Sequence, residues 1–203
     1  MNGRRTTLRV QRRAETQRLI QAHAVRLFAA RGYDDTTVND VAEAAGVSAM
    51  TVYRHFPTKE DLVLADRNGP LVAERIAATP AGQPLVRRIG NALVESARSL
   101  TDGDDRFLLA RLRLMIATPA LRARHLDNHY VLQQAIVDGL GEEAADPDSA
   151  FRAAAAASAC LAVMHTALVR WAEEDGRADL PDLIATALAA AFTLPDPARP
   201  DPR

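Results

Sequence analysis

Thr37 to Leu62 reads TVNDVAEAAGVSAMTVYRHFPTKEDL, and this stretch decides the fold. Val38, Val41, Ala42 and Ala45 recur at helical spacing, so the Thr37 hydroxyl is placed to cap a helix running to about Ala45. Gly46 stands just past the last periodic residue, where a left-handed backbone stops a helix without the steric cost of a Cβ. Val47 is placed to plug the corner. Ser48 is placed to cap a second helix, which Pro57 must end at or just before Phe56. On that second helix Val52 and Phe56, four apart, point to a core, which leaves Ala49, Met50, Thr51, Tyr53, Arg54 and His55 outward. A helix of about eight residues does not stand alone in water. It needs a scaffold, and a scaffold that presents one short helix outward is what reading the major groove of duplex DNA requires.

Working outward, the residues before the motif form an amphipathic helix ending in Phe28, Ala29, Arg31 and Gly32, followed by Tyr33, Thr36 and Thr37. After it come Tyr53, Arg54, His55, Phe56, Pro57, Thr58, Lys59, Glu60, Asp61 and Leu62. In this order and spacing the segment from roughly Arg13 to Leu64, about a quarter of the chain, resembles the DNA-binding domain of the TetR family of transcriptional regulators. The resemblance implies that Thr37 and Tyr53 give hydroxyl hydrogen bonds to phosphates. It also implies that Lys59, in the first turn of the next helix, adds an ammonium and nearby backbone N–H groups. Ser48, Ala49, Met50, Thr51, Arg54 and His55 are the candidates for base edges, with Ala49 or Met50 suited to a thymine methyl and Arg54 to a guanine or a phosphate. Tyr53 and His55 also read as ordinary surface residues flanking Phe56. The chain departs from the family's pattern at Ala49 and Met50, where relatives often carry a small or turn-forming residue before Thr51, and this leaves the bases read open.

Charge is divided along the chain. Residues 1–60 hold ten Lys plus Arg against six Asp plus Glu, a net of +4, and residues 61–203 hold fifteen against twenty, a net of −5. The formal total of −1 conceals a basic head on an acidic body, which orients such a molecule toward a polyanion. Arg4, Arg5, Arg9, Arg12 and Arg13 occur ahead of any acid, so residues 1–12 are expected to be a disordered basic arm, either reaching the minor groove or simply solvated.

With 203 residues, 48% hydrophobic and only 4% aromatic, the chain fits one small and one medium domain, and its abundant alanine and lack of alternating β-branched runs specify an all-α fold. The expected division is a three-helix helix-turn-helix domain over 13–60, a helical ligand-binding and dimerisation domain over 61–194, and a proline-rich disordered tail over 195–203. Helices are expected from about Thr58 to Asp66, interrupted at Asn68, Gly69 and Pro70 and resuming to Ala78. Further helices follow at about Pro84–Leu100, Asp104–Ala117, Pro119–Leu140, Pro147–Glu174 and Leu180–Thr193. No leader and no apolar span of membrane length is read, which makes a cytoplasmic protein with no membrane partner the expectation. The single cysteine, Cys160, sits among small apolar residues and reads as a packed thiol in preference to a redox switch.

Two alanine-rich helices, 147–174 and 180–193, carry apolar stripes: Ala150, Ala154, Ala157, Leu161, Met164 and Leu168 on one, Leu183, Ala187, Ala190 and Ala191 on the other. Relatives in the family dimerise through a four-helix interface, and the resemblance implies a homodimer through this pair; the alternative is that the stripes are the core of a monomer. Two heads held roughly 34 to 36 Å apart read a palindrome. Asn91, Phe107, Arg111, Met115, His125, His129, Gln133, Met164, His165 and Trp171 are the candidates to line an effector cavity, though Phe, Met and Trp at helical spacing are more often core. Ala117 to Asp127, ATPALRARHLD, resembles ligand domains of actinobacterial relatives, some of which sense acyl-coenzyme A; Arg111, Arg113, Arg122 and Arg124 are placed either to meet phosphates or to form a solvated face.

His125 and His129, four apart, are placed to share a metal, but no carboxylate or cysteine of the sequence completes the set. A structural or surface pair is therefore the preferred reading, with no metal or cofactor expected. No Gly-rich phosphate loop, nucleophile elbow or paired-carboxylate motif occurs, so an enzyme is disfavoured. The expected function is that of a TetR-like repressor of a palindromic operator, released by a small, apolar effector, an acyl-coenzyme A being one such ligand. A ligand-independent architectural DNA-binding protein and, behind it, a helical enzyme are the alternatives.

Overall fold

The computed structural model describes residues 2–65, 68–100 and 102–192. Among them the regular elements are all helical: α1 (Asn2–Arg31), α2 (Val38–Ala44), α3 (Ala49–His55), α4 (Asp61–Leu64), α5 (Asn68–Ala77), α6 (Leu85–Arg98), α7 (Asp102–Ala117), α8 (Pro119–Gly139), a short 3₁₀ turn (Gly141–Ala144), α9 (Pro147–Glu173) and α10 (Leu180–Ala191). The all-α class is therefore as expected. Two compact units form, Met1–Ala65 together with Arg106–Leu126, and Asp66–Asp105 together with Asp127–Arg203. This grouping differs from a single cut after residue 60, because a segment of α7 and α8 joins the first unit. One tie is Arg111, whose Nε donates to the Val63 carbonyl at 2.7 Å.

In the first unit Ile20, Ala24 and Phe28, one turn apart on α1, are buried together with Val41 and Ala42 of α2, Val52 and Phe56 of α3, and Leu62 and Val63 of α4. Burying such a set stabilises the unit by about 1.5–3 kcal/mol for each large side chain, which is how helices of seven and four residues persist. Gln21 Nε2 donates to the Ala65 carbonyl at 3.1 Å, tying α1 to the end of α4. The segment expected as a disordered arm is instead drawn into α1, whose first residue is Asn2. Beyond Gly3 no glycine or proline interrupts the run to Arg31, so nothing in the backbone stops the helix from extending.

The second unit is built on α6, which buries Arg88, Ile89, Gly90, Ala92, Leu93 and Val94, and on α9 and α10, which bury Ala153, Ala157, Cys160, Leu161, Ala167 and Trp171 with Leu180, Ile184 and Leu188. Asp146 caps α9, accepting from Asp148 N and Ser149 N at 3.1 Å each, and Asp179 caps α10, accepting from Asp182 N at 2.9 Å. Pro147 and Pro181 follow these caps in the first turns, where a missing N–H costs nothing. Arg88 is 1% exposed and lies along α6 with its guanidinium divided among Glu143 (2.6 and 3.0 Å), Thr79 Oγ1 (3.0 Å) and the Ile76 carbonyl (3.1 Å). It thereby holds the 3₁₀ turn to α5 and α6. At Gly139 of α8 a Cβ would lie 2.8 Å from Ala73 Cβ and 2.9 Å from Ala73 Cα, so glycine sets how closely α8 and α5 approach.

Three expectations are corrected here. Asn68, Gly69 and Pro70 do not interrupt a helix; they open α5, because proline is tolerated in a first turn, while α4 ends at Ala65 with ψ 113°. The stripe assigned to intersubunit contact on α9 is partly interior, since Ala157 and Leu161 are buried within the unit. The outward apolar positions are Phe151, 74% exposed, with Ala155 and Ala162 on the same face. Finally, α9 is long and apolar enough, by length and composition, to cross a membrane (mean hydropathy 1.4 over its best window), where no apolar span of membrane length was expected. The same helix supplies seven buried residues to the second unit's core. Residues 195–203, expected to be a disordered tail, lie outside the described residues.

Candidate nucleic-acid interface

Each end of α2 and α3 is fixed by the groups the sequence places there. Thr37 and Asp40 form a reciprocal capping box: Asp40 N donates to Thr37 Oγ1 (3.1 Å), Thr37 N donates to Asp40 Oδ2 (2.7 Å), and the Thr37 hydroxyl donates to the same carboxylate (2.6 Å). The Thr37 hydroxyl bond, then its backbone N–H, holds the Asp40 carboxyl below its ordinary value. Gly46 adopts φ +66° at the corner, and Val47 N bonds back to the Ala42 carbonyl at 3.0 Å. Ser48 then caps α3, accepting from Thr51 N at 3.1 Å, while its hydroxyl pairs with Thr51 Oγ1 at 3.0 Å.

This geometry turns one face of α3 inward and leaves the other open. Val52 and Phe56 are 0% and 2% exposed, whereas Met50 is 76% and Tyr53 49% exposed. Arg54 is exposed as well, Ala49 and Thr51 are half-buried, and Ser48 is exposed at the helix start. His55, one turn after Val52, is half-buried, with its ring centroid 6.5 Å from that of Phe56. The open face therefore carries a thioether, a phenol, hydroxyls and a guanidinium within two helical turns, the mixture of apolar, donor and acceptor groups that base edges and phosphates accept.

Lys59 is placed differently from expectation. The α-helix proper begins at Asp61, since the turn before it is tightened by an i→i−3 bond from Leu62 N to the Lys59 carbonyl (3.2 Å). A second capping pair, Thr58 N to Asp61 Oδ2 (3.0 Å) and Asp61 N to Thr58 Oγ1 (3.2 Å), fixes that turn. The Lys59 Nζ rests 4.3 Å above the Tyr33 ring and 5.6 Å from the Phe28 ring. Tyr33 in turn donates to Glu60 Oε1 at 2.9 Å, and burial together with that carboxylate raises the phenol's pKa. Burial works against the Glu60 carboxylate, but its own backbone N–H and the Tyr33 and Thr58 hydroxyls outweigh it and hold it low. The Tyr33–Glu60 bond and the Thr58 cap were not read from the sequence, although Thr58-x-x-Asp61 repeats the spacing of Thr37-x-x-Asp40 and was the available signal.

The ten residues expected around an effector are divided between the two compact units. Phe107, Arg111, Met115 and His125 belong to the first unit; Asn91, His129, Gln133, Met164, His165 and Trp171 to the second. Met115 is 4% and Trp171 3% exposed, and the Trp171 indole donates to the Ala178 carbonyl at 2.9 Å, which makes both packing residues. Arg111 spends its Nε on Val63 and stacks its guanidinium 5.7 Å from the Phe107 ring centroid. A groove of about 490 Å³ between α6 and α10 is lined by Asn91 alone of the expected set, with Val86, Arg87, Gly90, Val94, Glu95 and Arg98 of α6 and Ala185, Leu188 and Ala189 of α10.

A capped helix-turn-helix on a bundle of helices defines a DNA-binding regulator, and comparison with known proteins carries this further. Residues 20–65 match the family of bacterial regulatory proteins of the tetR type, and residues 83–193 match the MftR C-terminal domain. The chain belongs to the TetR family of transcriptional regulators. It is 23% identical over 184 residues to the putative mycofactocin biosynthesis regulator MftR of Mycobacterium tuberculosis, covering 90% of each chain. It is 30% identical over 126 residues to the regulator TcmR of Streptomyces glaucescens, 59% of this chain and 56% of that protein, so the match spans little more than half of that relative. Among solved structures it superposes on NalD, a repressor from Pseudomonas aeruginosa, at a TM-score of 0.57 with 21% identity, covering 89% of this chain and 96% of that one. It also superposes on a FadR of Bacillus subtilis at 0.54 with 19% identity, covering 85% and 96%. These likenesses establish the fold.

Proposed function

We propose that the chain binds a palindromic operator as a homodimer, represses the transcription it controls, and is released by a small ligand with an apolar portion. The observation that carries this reading is α3, whose inner residues are fully buried while Met50, Tyr53 and Arg54 stand open on a helix capped at its start by Ser48. Such a helix costs side-chain exposure that a merely structural helix avoids. Tyr53, Thr37 and the Lys59 turn position the head on phosphates, while Ser48, Ala49, Met50, Thr51, Arg54 and His55 face bases. A phosphate reaching the Thr37 hydroxyl must displace the Asp40 carboxylate that now accepts from it. Working on DNA, the protein acts in the cytoplasm.

Effector chemistry is supported by family members. The solved FadR of Bacillus subtilis is a complex with stearoyl-CoA, and that of Thermus thermophilus (TM-score 0.50, 22% identity) is a complex with lauroyl-CoA. An acyl-coenzyme A therefore heads the ligands to test, with Arg113, Arg122 and Arg124, all exposed, as its phosphate partners. A coupling of about 1–3 kcal/mol between ligand and operator suffices to change occupancy several-fold.

Selection of bound duplexes from a random pool, followed by gel shifts on the recovered sequence and on scrambled versions, tests the reading. Tyr53→Phe is expected to weaken binding to both by a similar factor, whereas Thr51→Ala and Arg54→Ala change the preferred bases at a cost of about 1–3 kcal/mol per lost contact. Recovery of no sequence above background, or an identical loss on every duplex for all three variants, defeats it.

A further inference from the structure

Lys59 is the one lysine among the chain's 25 Lys and Arg residues, and it stands in sequence directly before Glu60, a carboxylate suited to be its counter-ion. The two do not pair. Among the described residues Lys59 makes no ion pair. Its ammonium lies instead over two rings, Nζ 4.3 Å from the Tyr33 centroid and 5.6 Å from that of Phe28, both inside the roughly 6 Å reach of a cation–π contact. Phe28 and Tyr33 are buried and pack on each other, centroids 5.0 Å apart at 55°, so the first unit's core fixes this platform. The other end of Tyr33 engages Glu60, its hydroxyl donating to Oε1 at 2.9 Å. Burial opposes ionisation of Glu60, and its own backbone N–H, the Tyr33 and Thr58 hydroxyls and lastly the Lys59 charge outweigh it, so the carboxylate stays charged. All five residues belong to one compact unit.

We infer that Tyr33 is a positioning residue for DNA binding: its ring presents the Lys59 ammonium to a phosphate of the duplex, while its hydroxyl keeps the Glu60 carboxylate from neutralising that ammonium. This rests on the reading of Lys59 as a phosphate contact and adds what makes the contact effective. A ring face attracts a cation through its quadrupole and leaves the charge uncancelled, so a phosphate that meets Lys59 gains the full release of counterions from DNA. A carboxylate on the ammonium would have to be displaced first. The compact ammonium, with three rotatable donors, can rest one side on a ring and still donate to phosphate oxygens. Phenylalanine would supply the same platform at position 33 but could not hold Glu60. The sequence hides this arrangement because Tyr33 and Glu60 are 27 residues apart and meet only in the folded unit.

Gel shifts of the full-length protein on a duplex of random sequence at low salt, and on any duplex recovered by selection, test the inference. Tyr33→Phe keeps the ring and frees Glu60, and is expected to weaken binding to both duplexes alike, by about two- to fivefold per head, the range of a partly exposed ion pair. Lys59→Gln should lower the slope of log affinity against log salt by about 0.9 per head, and Tyr33→Phe by part of that. With Glu60→Gln or Lys59→Gln already in place, Tyr33→Phe should no longer change affinity, although it still lowers the melting temperature; a merely structural tyrosine would act in every background. Selective ¹³C labelling of lysine gives a single side-chain signal, whose ε-methylene protons should be shifted upfield by the rings in the parent and in Tyr33→Phe, and shifted again when duplex is added. Circular dichroism establishes that each variant is folded at the temperature of the shifts. The inference is overturned by a folded Tyr33→Phe that binds as the parent does, by an equal loss when Gln stands at position 60, by a lysine signal that duplex leaves unmoved, or by a parent that does not bind the random duplex. Failure to recover any preferred sequence would count against the operator reading alone, since the random duplex still reports on Tyr33.

Discussion

Single residues set the recognition head, and their effects are separable. Thr37→Ala removes a cap that works in both directions with Asp40 and is expected to cost about 1 kcal/mol, measured by urea denaturation. Because Asp40's carboxyl is held below its unfolded value, this contribution is present above about pH 4 and lost as pH falls through the lower folded value. The acid limb of a melting-temperature profile should therefore flatten in Thr37→Ala, and an unchanged limb would show that the box adds nothing. Gly46→Ala meets no neighbour within 4 Å but forces a Cβ onto φ +66°, so its cost, about 1–2 kcal/mol, is backbone strain alone. Cys160 is fully buried, its thiol pushed up to about 12 by burial, with Sγ 3.7 Å from the Val86 carbonyl. Being raised above its unfolded value, it supports the fold fully below about pH 9 and loses that support between there and about 12. Iodoacetamide at pH 8 should accordingly label Cys160 only after denaturant is added; rapid labelling of the native chain would place the sulfur elsewhere.

At the level of elements, what was legible is what local chemistry decides. Thr37, Gly46, Ser48 and the prolines at 84, 119, 147 and 181 marked helix starts and the corner to within a residue or two, because caps and missing N–H groups act on the few residues beside them. What was not legible depends on partners far along the chain. Arg88 reads as a charged residue on a helix face, and only the approach of Glu143, fifty-five residues away, makes a buried position tolerable for it. Asn68-Gly69-Pro70 carries the local signal of a break, yet a proline in a first turn is equally compatible with a helix beginning there. The Arg88 network gives an ordered prediction. Glu143→Ala leaves a guanidinium that is 1% exposed without its counter-ion, whereas Arg88→Met leaves a carboxylate that is 37% exposed and can be solvated. The first should therefore be the more damaging, approaching but not reaching the about 3–5 kcal/mol of a fully buried pair, since Glu143 sees water. Gly139→Ala drives a Cβ to within 3.0 Å of the Ala73 backbone and should cost about 1–3 kcal/mol. Gly90→Ala meets only the Leu188 δ-methyl at 3.2 Å, which can rotate away, and should cost less. Thermal melts of the four variants would reverse the reasoning if either order were inverted.

For the whole molecule, the question is why an apolar helix face is left open. In α9 the inward stripe through Ala153, Ala157, Cys160 and Leu161 is buried, while Phe151 remains 74% exposed and Ala155 and Ala162 lie on its side of the helix. On α10, Ala185, Ala189 and Ala190 are also exposed. Small residues beside one large aromatic ring let two helices approach closely, and a second copy offering the same face satisfies the two-fold symmetry a palindrome demands. If this face is the interface, introducing a charge at its centre leaves each chain folded and separates the pair. Ala162→Glu should run as a monomer by gel filtration with light scattering at concentrations where the parent is a dimer, with unchanged helical circular dichroism. Operator affinity should then fall by about 10²–10⁴-fold, because the second head no longer arrives at the effective concentration its tether provides. The dependence of log affinity on log salt should drop to about half its slope, since each released head neutralises half the phosphates. A variant that stays dimeric, or a monomer whose affinity and salt slope match the parent, would move the interface off α9 and leave Phe151 exposed for some other partner.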